Sequence, residues 1–154
     1  MRSRCASYVV ARPLNCGVMR QSDRSQFPTT AARQALAKRL GVPYSDDMQD
    51  WEWQVADATR FDEFLAAYDA PELSDGERYS LMEVLVQCIE DLSVKSSSHV
   101  AWAAVERRLR LRASLHRPTI EYWACVGATK PESVFNVSLL MRRLLKRGAQ
   151  IASR

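Results

Sequence analysis

The sequence predicts an all-α protein, a compact bundle of about six short helices, with stacked helical hairpins as one way of arranging them. Three observations carry this. Apolar residues recur three and four positions apart in stretch after stretch of the 154-residue chain. Those stretches open on capping residues and close on glycine or proline. Strict alternation of apolar and polar residues, the mark of a half-buried strand, is confined to one short segment. No internal repeat is evident.

The first 28 residues stand apart. "MRSRCASYVVARPLNCGVMRQ" has four arginines and no acid, and Arg12-Pro13 breaks the apolar run that a secretory signal would keep continuous. The run is also far too short for a membrane span. In composition the stretch resembles a mitochondrial transit peptide, while Met19 offers an alternative start. The expectation is a flexible basic leader over 1–28, one helical domain over 29–150 and a tail over 151–154.

The first helix is "TTAARQALAKRLG". Thr29 or Thr30 caps it, Leu36 and Leu40 lie four apart, and Gly41 stops it ahead of Pro43. In "TRFDEFLAAYD", Phe61, Phe64, Leu65 and Tyr68 fall at i, i+3, i+4 and i+7, with Thr59 and Asp62 near capping-box spacing. The short turn "APELS" makes the next helix an antiparallel neighbour. That helix, "SDGERYSLMEVLVQCIEDL", opens on the capping box Ser74 and Glu77. Tyr79, Met82, Leu85, Val86 and Ile89 make one apolar face, and Leu81, Val84 and Cys88 a second. A helix apolar on two sides is expected at the centre of the bundle.

After "KSSSH", the stretch "VAWAAVERRLRLRASL" sets Trp102, Val105 and Leu109 on one side, with Leu115 further on. Pro118 suits the first position of the next helix, "RPTIEYWACVGA", where Ile120, Trp123 and Ala124 face inward, Tyr122 lies at the rim of the core and Gly127 ends the run. Thr129 and Glu132 form a capping box for the last helix, with Val134, Val137, Met141, Leu144 and Leu145 as its stripe and Gly148 as its stop.

Composition is globular, 47% hydrophobic and 26% charged, which excludes wholesale disorder. The net charge of +4 hides a block pattern. Residues 1–40 have eight basic side chains against one acid, 41–98 have three against fourteen, and 99–154 have eleven against three. Such blocks can attract one another in the fold or face partners. The four cysteines, at 5, 16, 88 and 125, have no C-x-x-C spacing and no histidine at zinc-ligand distance, so no metal and no cofactor is expected. Cys88 and Cys125 sit in apolar helical patterns and read as buried, reduced thiols of a cytoplasmic protein.

"DDMQDWEWQVAD", residues 46–57, is the distinctive stretch. It lacks the glycine and the oxygen alternation of a calcium loop. Trp51, Trp53 and Val55 alternate with Glu52 and Gln54, which fits an extended strap with the tryptophans on the core. The rival is a docking surface in which Asp46, Asp47, Asp50, Trp51, Glu52 and Trp53 meet a protein with a basic surface, an aromatic anchoring and the carboxylates steering. Pairing of the aspartates with the arginines of 107–112 would make the cluster internal.

Nucleic acid is the alternative partner, held by Arg107, Arg108, Arg110, Arg142, Arg143, Lys146 and Arg147. Against it, basic residues late in a helix complement its dipole, and no base-reading motif is present. No catalytic motif appears either. His99 reads as a capping neighbour at a helix start and His116 as a residue of a helix-helix turn, and the only thiol and imidazole candidates for a nucleophile and base are Cys125 and His116, with Glu121 near the latter. The sequence therefore points to a non-enzymatic protein-binding module without membrane association, of the accessory or inhibitor kind that includes bacterial toxin-neutralising immunity proteins. In that reading the acidic segment 46–77 occludes a basic site on its target.

Overall fold

The structure, a computed structural model, describes residues 28–92, 98–128, 130 and 134–152. Among these it has seven α-helices and no strand: α1 Thr30–Leu40, α2 Trp51–Val55, α3 Phe61–Tyr68, α4 Asp75–Leu92, α5 Ser98–Leu111, α6 Ala113–Ala124 and α7 Ser138–Ala152. One 3-10 turn, Ala58–Arg60, leads into α3. The fold is all-α, and the helix beyond the expected six is α2. Apart from Pro28, the leader expected over 1–28 lies outside the described residues.

α4 is the hub. Its two apolar faces are both covered, and Val84 through Ile89 are buried without interruption. α1, α2, α3, α5 and α6 all pack on it, while α7 packs on α6. The two ends read most clearly in the sequence form as expected. Thr29 Oγ1 accepts from the Ala32 amide at 3.2 Å, and Gly41 closes α1 in the left-handed region at φ 61°, its amide donating to Ala37. Ser74 and Glu77 make the reciprocal capping box of α4, at 2.9 and 3.3 Å.

Other boundaries differ from expectation, each for a local reason. Thr59 does not cap α3: it lies in the 3-10 turn that Asp57 caps by accepting from the Thr59 amide at 2.9 Å, and α3 itself follows Arg60 without a side-chain cap. α6 starts at Ala113, so Pro118 is its sixth residue and not its first. α6 ends at Ala124, where Cys125 takes a left-handed conformation at φ 45°; Gly127, at φ 95°, comes two residues later. α7 starts at Ser138, leaving Val134 and Val137 outside the helix, and runs through Gly148 to Ala152, into the expected tail. Thr129 and Glu132 lie outside the described residues.

Long polar side chains tie the helices in register. Glu83 of α4 accepts from Thr119 Oγ1 at 2.6 Å and Trp123 Nε1 at 2.8 Å, both on α6. Glu90 accepts from the amides of Asn136 and Val137 at 3.0 Å, at the entry to α7. Arg142 of α7 donates to the carbonyls of Ala124, Cys125 and Ala128, closing the end of α6.

Cys88 is free and buried, with burial pushing its thiol up to about 12. Cys125 corrects the thiol reading: it is disulfide-bonded. Disulfides are uncommon in reducing cytosol, so the cytoplasmic expectation loses that support. Among the described residues no helix is long and apolar enough to cross a membrane.

Leu85 is fully buried on α4, whereas Leu139 is 62% exposed on α7. Leu85→Ala is expected to cost about 2 to 5 kcal/mol in chemical denaturation, and Leu139→Ala less than about 0.5 kcal/mol.

Candidate functional site

The acidic tryptophan stretch folds as a turn of helix and not as an extended strap. Alternation and helical spacing are both present in "WEWQV", because Trp51 and Val55 are also i and i+4. In α2 those two are buried, and Trp53, two residues round the helix, is 50% exposed. Trp51 is fully buried and its Nε1 donates to the Pro43 carbonyl at 2.9 Å, so it is a core residue, unavailable to a partner. Glu52 does not face water as the strap required. Its carboxylate takes both Nε and a terminal nitrogen of Arg33 at 2.8 Å, tying α2 to α1.

The three aspartates separate. Asp50 sits at the N-cap of α2, its carbonyl accepting from the amides of Trp53 and Gln54. Asp46 accepts from the Tyr44 hydroxyl at 3.0 Å and Asp47 from Ser45, both carboxylates remaining exposed. The Ser45 hydroxyl holds the Asp47 carboxyl below its ordinary range. None of the three pairs with the arginines of 107–112; the acids that do are Asp69, Asp75 and Glu106. What α2 and its approach display outward is therefore Trp53 with Asp46 and Asp47.

The basic candidates divide as well. Arg108 is buried, its Nε 2.9 Å from Asp69 and a terminal nitrogen 2.8 Å from the Ala104 carbonyl. Arg142 is the cap of α6 already described. Arg110 and Arg147 share one oxygen of Glu106, at 2.6 and 3.4 Å, which brings the ends of α5 and α7 to one surface. Arg107, Arg143 and Lys146 are exposed.

A further cluster escaped the sequence reading. His116 is not a turn residue: it lies within α6, fully buried, with Nε2 2.6 Å from the Tyr68 hydroxyl and its ring stacked on Tyr79 at 6.4 Å. Burial, then the charges of Arg112 and Arg78, push its pKa down to about 4, while burial raises Tyr68 to about 12. Near neutral pH both are uncharged. His116 Nδ1 is buried without a hydrogen-bond partner. Beside this pair opens a cleft of about 420 Å³ walled by Tyr68, Asp69, Pro71, Arg78, Arg108, Leu111 and Arg112. The sequence held a signal for it: Arg78 falls on the apolar period of α4 with Met82 and Leu85, and His116 on that of α6 with Ile120 and Trp123.

The candidate nucleophile has no free thiol. Cys125 is in a disulfide, and Glu121 is held by Arg117 at 2.7 Å. Among the described residues no three His, Cys, Asp or Glu side chains gather as a metal site would require. No family model, no curated protein and no solved structure significantly matches the chain.

A neutral buried imidazole stabilises the fold fully above its unfolded pKa of about 6.5, and that contribution is lost as pH falls towards the folded value of about 4. Acidification across this window is expected to remove on the order of 2 to 3 kcal/mol of stability through His116. Glu90 and Asp91, whose carboxyls burial raises, act in the opposite sense. Comparing urea midpoints of wild type and His116→Gln between pH 7 and 4.5 isolates the imidazole; identical slopes would refute its role.

Proposed function

We propose that this chain is a non-enzymatic binding module that captures a protein through the exposed face of α2 and the loop before it. One observation carries the reading: Trp53 is half exposed, whereas Trp51, two residues earlier on the same turn, is fully buried. An exposed tryptophan offers a large aromatic surface beside the exposed carboxylates of Asp46 and Asp47, and here the helix that displays it is fixed from behind by Trp51 and from the side by the Arg33–Glu52 pair. A rigid aromatic loses little freedom on binding, which suits it to anchor an interface. The exposed carboxylates of Asp46 and Asp47 favour a partner with a basic surface and raise its rate of encounter. A small accessory or inhibitor protein, immunity-like in mode of action, fits this arrangement. Of the six residues first considered, Trp53, Asp46 and Asp47 make the contact, while Trp51, Glu52 and Asp50 build its support.

The second reading is nucleic-acid binding, favoured by the convergence of Arg110 and Arg147 on Glu106. Arg107, Arg143 and Lys146 would extend that surface, and Arg108 and Arg142 would take no part, being spent on Asp69 and on α6.

The two are separated by affinity capture from lysate with the tagged full chain, with and without nuclease, read by mass spectrometry. A stoichiometric protein is expected that survives nuclease and is lost from Trp53→Ala and from the Asp46→Lys/Asp47→Lys variant, each weakening it about thirtyfold or more. Retention of that protein by both variants, or recovery only of nucleic acid that Arg143→Glu/Lys146→Glu abolishes, would overturn the proposal.

A further inference from the structure

We propose that the cleft walled by Arg78, Arg108 and Arg112 is a binding site for a small phosphate-bearing molecule, separate from the Trp53 surface. The cleft lies where the end of α3 meets the first turns of α4 and the end of α5, and it encloses about 420 Å³. Three guanidinium groups and one carboxylate, that of Asp69, line it. Asp69 pairs with Arg108, Asp75 lies 3.7 Å from Arg112 and Glu72 is within electrostatic reach of Arg78, so the positive wall is only partly neutralised by its surroundings. A phosphate monoester near pH 7 carries about 1.5 to 2 negative charges, the sign such a wall attracts.

The three arginines are held differently, and that gives the site its logic. Arg78 is only 6% exposed, and its hydrogen bonds go to the carbonyls of Tyr68, Ala70 and Pro71. Carbonyls orient a guanidinium without cancelling its charge, so among the described residues this nearly buried cation has no carboxylate hydrogen-bonded to it, Glu72 acting on it only at longer range. Arg108 is aimed by Asp69 on one side and the Ala104 carbonyl on the other. Arg112 is the most exposed of the three: its side chain is 46% exposed and its ion pair with Asp75, also exposed, is 3.7 Å long, beyond hydrogen-bond distance.

The charges act on one place. Arg112 and Arg78 both press on the His116 imidazole, and all three arginines on the Tyr68 phenol at the cleft wall. Planar guanidinium forks arriving from α4 and from two positions on and just beyond α5 suit the several oxygens of a tetrahedral oxyanion better than the two of a carboxylate, a role Asp69 already fills for Arg108. Leu111, 73% exposed, and Pro71 add an apolar shoulder, so the group esterified to the phosphate has an apolar part.

The test titrates the full 154-residue chain with inorganic phosphate, phenyl phosphate and acetate at matched ionic strength, by calorimetry and backbone amide shifts. Saturable phosphate binding is expected, tighter for phenyl phosphate, with shifts centred on residues 68–71 and 108–112. Arg112 is outside the core, so Arg112→Ala should fold normally, weaken phosphate about tenfold and leave circular dichroism and melting unchanged. Arg112→Lys should recover part of the loss. Phosphate binding no stronger than that of acetate, shifts scattered over the surface, or undiminished affinity in Arg112→Ala would each overturn the proposal.

Discussion

Between Gly76 and Glu90 helix α4 has no exposed residue, and the placement of the other helices follows from that. A cylinder buried on so much of its circumference must be covered from several directions, and α1, α2, α3, α5 and α6 supply the cover. Apolar burial is non-directional and would let these neighbours slide. The register comes from α4's own polar residues. Glu83 fixes α6 through Thr119 and Trp123, and Glu90 fixes the entry to α7 through the amides of Asn136 and Val137. Sliding α6 by one turn would leave a carboxylate, a hydroxyl and an indole without partners, each at about 1 to 3 kcal/mol if it stayed buried. A dry core and a few obligatory hydrogen bonds together define one arrangement where either alone would allow several.

The alternating charge blocks attract one another within the fold. Arg33–Glu52 and Arg39–Glu72 join the first basic block to the acidic one, and Arg108–Asp69 joins the acidic block to the last. Arg39–Glu72 is largely exposed and contributes little, about 0 to 1 kcal/mol. Arg33–Glu52 and Arg108–Asp69 are more enclosed and bidentate, so they orient α2 and the end of α5 as well as attract. Asp46 and Asp47 on one side and Arg143 and Lys146 on the other take no part in these pairs and stay exposed.

How much of this the sequence disclosed depends on whether the deciding interaction was local. α1 and α4 were legible because Thr29, Gly41, Ser74 and Glu77 act on their own helix ends. The centrality of α4 was legible because its two apolar faces stand in its own residues. α2 was misread since "WEWQV" satisfies a period of two and a spacing of four at once, and only packing against Pro43 and Arg33 decides between them. The start of α6 was misplaced because Pro118 is so well suited to a first turn. The ends of α6 and α7 were invisible in principle: Arg142 caps the one and Glu90 prepares the other, from 14 to 18 and from 46 to 47 residues away.

The arginine cleft was hidden for the same reason and marked by a different one. Consistency between pattern and environment fails in a few places: an arginine on the core period of α4, a serine two residues later whose hydroxyl is buried without a partner, and a histidine with an orphaned ring nitrogen. Such conflicts tend to collect at sites that do something besides fold. Arg78 shows how one residue can answer to both demands. α3 ends at Tyr68 with Asp69 as its C-cap and no glycine to turn the chain, and the Arg78 guanidinium satisfies the Tyr68 carbonyl and those of Ala70 and Pro71 just beyond while holding a positive charge against the cleft. Its position is therefore bound to the integrity of α3. Arg112, at the junction of α5 and α6 and clear of the core, faces the same cleft under no such obligation, so it is there that the affinity of the cleft can change without loosening a helix end.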